Sequence, residues 1–242
     1  TSVPKADIAF SIGGDGTFLR TAAEIAHSNI PILGINTGRL GFLADIKFED
    51  LDETLSEIFN NNYRLEERML LRTNAVNSSV DGAKISVDFS NYSLNEVAVL
   101  KQDTSSMLTI HAFIDNEYLT SYQADGLVVA TPTGSTAYSL SIGGPIMVPT
   151  APNIILTAIA PHSLNSRPLV VDSSSKIRLE IESRSDNYLV SLDGVSQTLS
   201  ADTVLEICKA DYVQPVVKRR GHTFFETLRN KLMWGADIRS SR

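Results

Sequence analysis

The sequence of 242 residues contains one cysteine, Cys208, so it can form no intramolecular disulfide and no cysteine zinc cluster. No apolar run approaches the ~20 residues of a membrane-spanning helix, and no signal peptide is visible. These absences lead us to expect a cytoplasmic protein without a membrane partner. Positive charge is also scarce, with 21 Lys and Arg against 28 Asp and Glu. Because nucleic-acid binding needs a basic face, we expect no nucleic-acid partner.

What the sequence does contain is a glycine-rich turn directly after a short apolar strand. The run Ile8–Ile12 leads into Gly13-Gly14-Asp15-Gly16-Thr17, and a helical pattern follows at once. Glycines permit positive φ and leave the backbone open to a ligand, while a helix start offers free N–H groups to phosphate. The turn lacks the Gly-Lys-Ser/Thr of a P-loop and the Gly-x-Gly-x-x-Gly dinucleotide pattern. It therefore indicates a nucleotide or phosphate site, as in a kinase.

Asp15 is the most informative residue of this turn, because a carboxylate is unusual where phosphates bind. It could hold a metal ion, accept a proton, or cap the following helix, as Asp often does. A plain cap needs none of the three flanking glycines. The pattern therefore favours the functional alternatives and leaves all three open.

The apolar pattern divides the chain into two textures and a tail. Residues 1–62 alternate strands and helices, which predicts a Rossmann-like α/β domain with a parallel sheet. Residues 63–221 contain many short β-type runs between turn residues, which predicts a β-sandwich-like domain. Residues 222–242 hold a helical pattern that we expect to pack back on the first domain. We also expect an upstream βα segment that this sequence lacks.

The predicted elements follow from these periods. Helices are expected at Thr17–His27, Phe48–Asn60 and His222–Trp234, with helical character at Gly134–Ile142. The apolar face of the second helix comprises Leu51, Leu55, Ile58 and Phe59. The predicted strands are Asp7–Ile12, Pro31–Asn36, Met69–Ala75, Lys84–Phe89, Asn95–Leu100, Met107–Ile114, Glu117–Ala124, Gly126–Ala130, Ile154–Ala158, Lys176–Ile181, Tyr188–Leu192 and Thr203–Lys209.

Two further segments favour a nucleoside ligand. Around Pro132 and Gly134 a β-run ends in small and hydroxyl-bearing residues, which let a flat ring approach and offer hydrogen bonds to a base or ribose. The alternative is an ordinary strand-to-helix turn capped by Ser or Thr. Asn95-Glu96 suits ribose hydroxyls, because a carboxylate accepts two hydrogen bonds from a diol. The alternative for this pair is a solvated strand end.

Taken together, these segments resemble the NAD kinase family over nearly the whole chain. The matching segments are Gly13–Thr17, Gly34–Leu43, Asn95-Glu96, Asp125–Pro145, Pro161–Leu169 and Phe224–Trp234. The segment 125–145 is the most specific, whereas the Gly-Gly-Asp-Gly-Thr turn is shared with diacylglycerol-type lipid kinases. The resemblance implies the same two-domain fold that the apolar pattern predicts.

The resemblance also implies a reaction and a set of residues. The γ-phosphoryl of ATP would pass to the 2′-hydroxyl of the adenosine ribose of NAD, with Mg²⁺ or another divalent metal and with Asp15 as general base. Residues implied to bind NAD are Gly16, Asn95, Glu96, Asp125, Thr133, Thr136, Ala137, Tyr138 and Ser141. Residues implied to face the ATP phosphates are Gly13, Gly14, Gly16, Thr17, Arg20, Asn36, Arg167 and His222. No metal ligands are assigned, and family members form homodimers or homotetramers in which Asp125 can act across a subunit boundary.

Several side chains keep two interpretations. Phe42 is either a stacking wall for a ring or part of the core. The cluster Lys218–Arg220 either faces phosphates or is a solvated charge run. His162 is expected to hold its own loop, and Asp193-Gly194 matches a family turn but is also an ordinary hairpin turn.

Two other functions remain open from the sequence. A lipid or sphingoid-base kinase would share the glycine turn, but it would need an apolar acyl pocket where this chain has the hydroxyl-rich segment Thr131–Ser141. A non-catalytic regulator that binds NAD or NADP would not need Asp15. NAD kinase is the function that the sequence favours.

Overall fold

The computed structural model describes residues 5–38, 41–77, 91–102 and 107–233. The predicted strand Lys84–Phe89, together with Arg39, Leu40 and Trp234 of the predicted motifs, lies outside these ranges. Within them, no helix is both long enough and apolar enough to cross a membrane.

Strands and helices are numbered here in chain order. The strands are β1 (Ala9–Ile12), β2 (Ile32–Asn36), β3 (Ile46–Lys47), β4 (Tyr63–Asn77), β5 (Tyr92–Ser93), β6 (Glu96–Leu100), β7 (Leu108–Ile114), β8 (Glu117–Ala124), β9 (Gly126–Ala130), β10 (Asn153–Ile159), β11 (Leu169–Asp172), β12 (Ile177–Glu182), β13 (Asn187–Leu192), β14 (Val195–Ser200) and β15 (Thr203–Arg219). The helices are α1 (Asp15–Glu24), α2 (Leu51–Phe59), α3 (Tyr138–Ser141) and α4 (Phe224–Leu232), and short 3-10 turns precede α2 and α3.

The chain forms two compact units. Unit 1 comprises the residues up to Arg68 and those from Val213 onward, and unit 2 comprises Met69–Tyr212. The unit boundaries therefore fall inside β4 and β15. The domain limits predicted at residues 62 and 221 stay a prediction.

Unit 1 is the α/β part of the molecule. Strand β1 runs parallel to β2, β2 runs parallel to β3, and Val216 of β15 pairs in parallel with Ile32 of β2. Its core contains Leu33, Ile35, Ile46 and Val217, with Leu51 and Ile58 of α2 packed against them. This is the parallel α/β arrangement that alternating strands and helices predict.

Unit 2 contains two antiparallel sheets. One sheet has the order β11-β10-β9-β6-β13-β14, and in the other β12 pairs with both β7 and β15 while β7 pairs with β8. The shared core is built from alternate residues of strands in both sheets, such as Val97, Val99, Ile177 and Leu179. Alternation of buried and outward residues is what a β-sandwich requires, so the predicted fold class is confirmed.

The helices differ from the prediction at their ends. Helix α1 starts at Asp15 rather than Thr17. In α2 the buried residue is Thr54, whereas Phe59, which was expected on the apolar face, is 83% exposed. Residues 51, 54, 55 and 58 are spaced as one helix face, whereas Phe59 lies about 100° past Ile58, on the flank of that face and at the end of the helix.

Candidate functional site

The glycine turn of unit 1 joins β1 to α1. Gly13 has φ +152°, and a Cβ there would lie 2.5 Å from the Thr17 hydroxyl, so this position requires glycine. A Cβ at Gly14 or Gly16 would meet nothing within 4 Å among the described residues. The first amides of α1 have no partner inside the helix. The turn therefore presents free N–H groups beside open backbone, as phosphate binding requires.

Asp15 does not cap the helix that follows it. Gly14 occupies the N-cap position, and Asp15 is the first helical residue. Its Oδ2 accepts the amide of Phe42 at 3.0 Å, and its Oδ1 accepts the amides of Leu43 and Ala44, both at 3.1 Å. The cap interpretation is therefore wrong, and the carboxylate is held by a loop 27–29 residues further along the chain.

Gly41 makes this contact possible. A Cβ at position 41 would overlap the Asp15 carboxylate. The amide of Gly41 also donates to the Ala44 carbonyl at 3.3 Å, which bends the loop so that its next three amides converge. We call residues 41–44 the Asp15 loop.

Other predicted phosphate-facing residues of unit 1 lie close to the turn. Gly13 donates its amide to Ile35, which places Asn36 beside the turn, and Asn36 is buried with its Oδ1 accepting the amide of Gly38. Arg20 is exposed on α1 and lies 3.4 Å from the Thr17 hydroxyl. Thus Asn36, Thr17 and Arg20 are near neighbours of Asp15, and their roles stay predictions.

A buried ion cluster lies directly after the Asp15 loop. Asp45 Oδ2 lies 2.5 Å from Lys218 Nζ and 3.4 Å from His222 Nδ1. Burial alone would raise the pKa of Asp45, but the charge of Lys218 and the hydrogen bonds from both partners outweigh it and lower the pKa to about 2. The hydrogen bond to Asp45 in turn raises the pKa of His222.

This cluster changes the interpretation of the basic segment 218–220. Lys218 is only 4% exposed, so it does not belong to a solvated charge run. Arg219 pairs with Glu57 at 2.6 Å and with Glu53 at 2.9 Å. Two of the three cations are thus paired with carboxylates of unit 1. The predicted phosphate contact of His222 stays a prediction.

In unit 2, Asn95 and Glu96 lie where several backbone segments meet. The amide of Thr131 donates to the Asn95 carbonyl at 2.8 Å, and the Thr131 hydroxyl donates to the Leu94 carbonyl at 2.6 Å. That hydroxyl also accepts the amide of Gly134 at 3.0 Å. A Cβ at Gly134 would overlap the Asn95 carbonyl. The hydroxyl-rich turn is therefore locked onto residues 94 and 95.

Asp193, at the tip of the β13–β14 hairpin, holds the same segment from another side. Its carboxylate accepts the amides of Leu94, Asn95 and Glu96 at 2.6, 2.9 and 3.0 Å. Burial raises the pKa of Asp193, although these amides oppose the shift. Asp193-Gly194 is therefore more than an ordinary hairpin turn.

The side chains of Asn95 and Glu96 carry unused polar atoms. Asn95 is 7% exposed, so the pair is not a solvated strand end. Within the described residues, Asn95 Oδ1 and Glu96 Oε2 are buried and have no hydrogen-bond partner. Burial, together with the charge of Asp193, raises the pKa of Glu96 to about 8. Because buried polar groups are normally paired, these two neighbouring atoms make this place a candidate ligand site.

The predicted pocket residues of the 133–141 segment surround this pair. Tyr138 donates its amide to the Glu96 carboxyl, and its side chain packs on the apolar cluster of β6, β9 and β10. Thr133 is buried and Thr136 bonds the Thr133 carbonyl, whereas Ser141 is exposed. The N-cap residue of α3, Ala137, makes no side-chain cap. The Thr131 hydroxyl does accept the Gly134 amide in the manner of a cap, so both interpretations of this turn stay predictions.

Asp125 is not brought to the same place. The β6–β9 register pairs Glu96 with Ala130 and Leu100 with Gly126, so Asp125 lies at the opposite end of β9. The distance along this strand to Thr131 is roughly 20 Å at about 3.3 Å per residue. Asp125 instead pairs with Lys101 at 2.6 Å.

The loop between β10 and β11 holds Arg167 and His162 elsewhere in unit 2. Arg167 is exposed and donates to the carbonyls of Leu164 and Ser166 in its own loop, at 2.9 and 2.7 Å. His162 has an exposed side chain, and its backbone amide donates to Gln123. Their predicted roles stay predictions.

Phe42 is positioned by packing within unit 1. Its ring centroid lies 6.4 Å from that of Phe224 of α4, and Lys231 Nζ lies 5.8 Å from its centre. These contacts favour the packing interpretation, although the ring stays partly exposed.

No dedicated metal site is formed by the described part of the chain, since no three His, Cys, Asp or Glu side chains converge there. Asp15 is compatible with a metal carried by phosphates, because Oδ2 accepts only one amide and keeps an unused lone pair. Mg²⁺ is commonly bound by one or two carboxylates together with substrate phosphates.

Sequence analysis assigned no individual role to four contributors to these sites: Gly41, Asp45, Thr131 and Asp193. Each acts through the backbone or through another side chain. Only the Asp-Gly pair at 193–194 gave a local signal, and that signal also fits a plain hairpin.

A glycine turn that opens a helix and contains a carboxylate, and a hydroxyl-rich turn beside buried unpaired polar atoms, are features of a nucleotide-dependent phosphotransferase. The ATP-NAD kinase N-terminal domain model matches residues 3–63, and the ATP-NAD kinase C-terminal domain model matches residues 94–219. The chain belongs to the NAD kinase family, and its activity is ATP-dependent phosphorylation of NAD.

Individual relatives and solved structures support the same family assignment. The chain is 53% identical to an NAD kinase of Bacteroides fragilis and 49% identical to one of Porphyromonas gingivalis, covering 97% and 96% of this chain and 78% of each relative. Among solved structures, yeast NADH kinase complexed with NADH has a TM-score of 0.88 at 28% identity, covering 98% of this chain and 69% of that one. An Archaeoglobus fulgidus NAD kinase in complex with ATP has a TM-score of 0.76 at 30% identity, covering 94% and 83%. Nothing here supports the lipid-kinase or regulator alternatives.

Proposed function

We propose that Asp15 is the general base of the NAD kinase reaction. The observation that supports this most is the three-amide grip of the Asp15 loop on its carboxylate, which fixes the carboxylate beside the phosphate-binding turn. Phosphoryl transfer depends mainly on positioning and on neutralising charge. A fixed carboxylate with an unused lone pair can orient the attacking hydroxyl and accept its proton.

In the proposed reaction, the 2′-hydroxyl oxygen of the adenosine ribose of NAD attacks the γ-phosphorus of ATP. The new O–P bond forms while the bond to the β–γ bridging oxygen breaks, and the hydroxyl proton passes to Asp15. The amides of Gly14 and Gly16 would face the phosphates, since these backbone positions are open. Thr17 would contribute its hydroxyl, because its amide already donates to the Gly14 carbonyl. Mg²⁺ would enter with the ATP phosphates beside Asp15 and would neutralise their charge.

The acceptor dinucleotide is assigned to the site in unit 2. Asn95 Oδ1 and Glu96 Oε2 would bond its ribose hydroxyls, because both atoms are buried without partners within the described residues. Thr133, Thr136, Ala137, Tyr138 and Ser141 would line the base and ribose pocket. Asp125 lies at the other end of β9, so we assign it to a nicotinamide-side contact made across a subunit boundary. This assignment requires a homodimer or homotetramer, which light scattering of the purified protein would detect.

The test is NADP formation from NAD, ATP and Mg²⁺ by wild type and by Asp15→Asn. General-base removal costs roughly 10²–10⁴-fold in rate, so we expect at least a 100-fold fall in kcat with little change in NAD binding. Asp52→Asn, an exposed aspartate on α2, is the matched control and should keep full turnover. Near-normal kcat in Asp15→Asn would reject the base assignment. The same assay with NADH tests the reduced acceptor, which the yeast relative binds.

A further inference from the structure

The tip of the β13–β14 hairpin is bonded to the nucleotide site by four hydrogen bonds. Asp193, at φ +49°, accepts the amides of Leu94, Asn95 and Glu96. Its own amide donates to the Glu96 carbonyl at 3.2 Å. A turn between two strands needs none of these bonds, because the hairpin register from Asn187 to Leu192 is complete without them.

The two carboxyl groups at this place have different surroundings. Asp193 accepts three N–H groups, each of which favours the ionised form. Glu96 accepts one amide, from Tyr138, and its Oε2 is buried without a partner among the described residues. When two carboxyls are close, the better hydrogen-bonded one keeps the charge and the other keeps the proton. Asp193 is therefore the anion of this pair.

We propose that Asp193 is a positioning residue for the acceptor nucleotide: it fixes the backbone of residues 94–96, so that Asn95 and Glu96 point to the ligand. This inference rests on the proposed assignment of Asn95 and Glu96 to NAD. It adds a residue that does not touch the ligand and a pH dependence that the assignment alone does not give.

The pH dependence has a definite sign. The pKa of Glu96 is raised to about 8 by burial first and by the charge of Asp193 second. The ionised carboxylate accepts two hydrogen bonds from a ribose diol, so KM for NAD should fall as the pH rises through about 8. Removing the charge of Asp193 should move this fall to lower pH. Tyr138 acts on Glu96 only through its amide, and Tyr212 near Asp193 stays neutral because burial raises its pKa to about 12.

The experiment measures kcat and KM for NAD against pH in wild type, Asp193→Asn, Glu96→Gln and Gly194→Ala. In Asp193→Asn we expect KM to rise at least 5-fold at about pH 9, where Glu96 is ionised in wild type and variant alike, because the inflection near pH 8 is passed in both. We expect kcat to stay within about 2-fold and the inflection of KM to move to lower pH. In Glu96→Gln the inflection should vanish. Gly194 has φ +88°, so replacing it with alanine strains the same hairpin tip but keeps the Asp193 carboxylate. Gly194→Ala should therefore lower Tm and leave the inflection of KM where it is.

The outcomes separate failure of the Asp193 role from failure of the Glu96 assignment. An unchanged KM of Asp193→Asn at about pH 9, above the inflection, would overturn the proposal. A raised KM with an unmoved inflection would also overturn it, since strain of the hairpin gives the same result. If Asp193→Asn does not fold, the wild-type profile decides, because an inflection near pH 8 that Glu96→Gln removes is required. Failure of the underlying assignment looks different: Glu96→Gln would then leave KM for NAD unchanged while wild type still forms NADP.

Discussion

Asp15 in unit 1 and Asp193 in unit 2 are held in the same way. Each carboxylate accepts hydrogen bonds from three consecutive backbone amides, those of residues 42–44 for Asp15 and those of residues 94–96 for Asp193. In both cases a glycine is required nearby, since a Cβ at Gly41 would overlap Asp15 and a Cβ at Gly134 would overlap Asn95.

The two arrangements differ in the acidic residue that lies next to them. The Asp15 loop continues into Asp45, a buried carboxylate that Lys218 and His222 pair and keep ionised. The segment held by Asp193 includes Glu96, whose carboxyl has no cationic partner among the described residues. The pKa of this carboxyl is raised to about 8. The same set of three hydrogen bonds thus lies next to a paired, ionised carboxylate in unit 1 and next to a protonated carboxyl in unit 2.

This difference separates two tasks. A group that must act on a reacting hydroxyl needs a fixed position and a stable environment, which the paired Asp45 supplies to the Asp15 loop. A group that must recognise a ligand can gain from a protonation state that changes on binding. Single substitutions can disrupt one of these arrangements at a time.

The largest effect is expected from Lys218→Met, which leaves Asp45 buried with only His222 as partner. Unpairing a buried charge costs about 3–5 kcal/mol, so the free energy of unfolding should fall by that amount. Denaturant unfolding of wild type and variant measures it. Asp45→Asn/Lys218→Met removes both charges and should recover most of the loss. Equal losses in the single and double variants would show that the pair does not support the loop.

Next is Gly41→Ala, which places a methyl group where the Asp15 carboxylate lies. The carboxylate has to move, so we expect kcat to fall at least 10-fold while KM for NAD changes little. Gly38→Ala is the matched control, because a Cβ there meets nothing within 4 Å in the described structure. A variant at position 41 with normal kcat would mean that the loop does not position Asp15.

In unit 2 the corresponding change is Gly134→Ala, which pushes the hydroxyl-rich turn away from Asn95. We expect KM for NAD to rise several-fold and kcat at saturation to change less than in Gly41→Ala. Steady-state kinetics on both variants in the same buffer makes the comparison. If both variants lowered kcat and spared KM, the two sites would not divide the work as argued.

The smallest effect is a pH-dependent gain of stability in Glu96→Gln. The pKa of Glu96 is raised in the folded protein, from an ordinary 4.5 to about 8. Its contribution to stability is therefore complete below about pH 4.5 and is lost as the pH rises through about 8. Because one pKa unit is about 1.4 kcal/mol, Glu96→Gln should exceed wild type by more than about 1 kcal/mol at pH 8 and equal it at pH 4.5. A constant difference across this range would contradict the raised pKa.

Much of the fold could be predicted from local patterns. Strands β8 and β9 begin and end where alternation and turn residues place them, at Glu117–Ala124 and Gly126–Ala130. Strands β3 and β5 were missed because two residues carry no period. Strand β14 was missed because it is largely polar and exposed.

The contacts that build the sites could not be predicted in this way. Asp15 meets its amides across 27–29 residues, and Asp193 meets its amides across 97–99. No local pattern encodes such a separation, because backbone amides carry no residue identity. The glycine turn and Asn95-Glu96 could be chosen as candidates because their chemistry is local, whereas the contacts that hold them in place became visible only in the fold.

In the proposed division of roles, Asp15 serves the chemical step and Asp193 serves nucleotide binding. The most direct measurement is the single-turnover rate of NADP formation at saturating NAD and ATP, with the Kd for NAD, in Asp15→Asn and Asp193→Asn side by side. At about pH 9, above the Glu96 inflection, we expect at least a 100-fold slower turnover with a near-normal Kd for Asp15→Asn. For Asp193→Asn we expect near-normal turnover with a raised Kd. The same profile in both variants, or the reverse assignment, would contradict this division of roles.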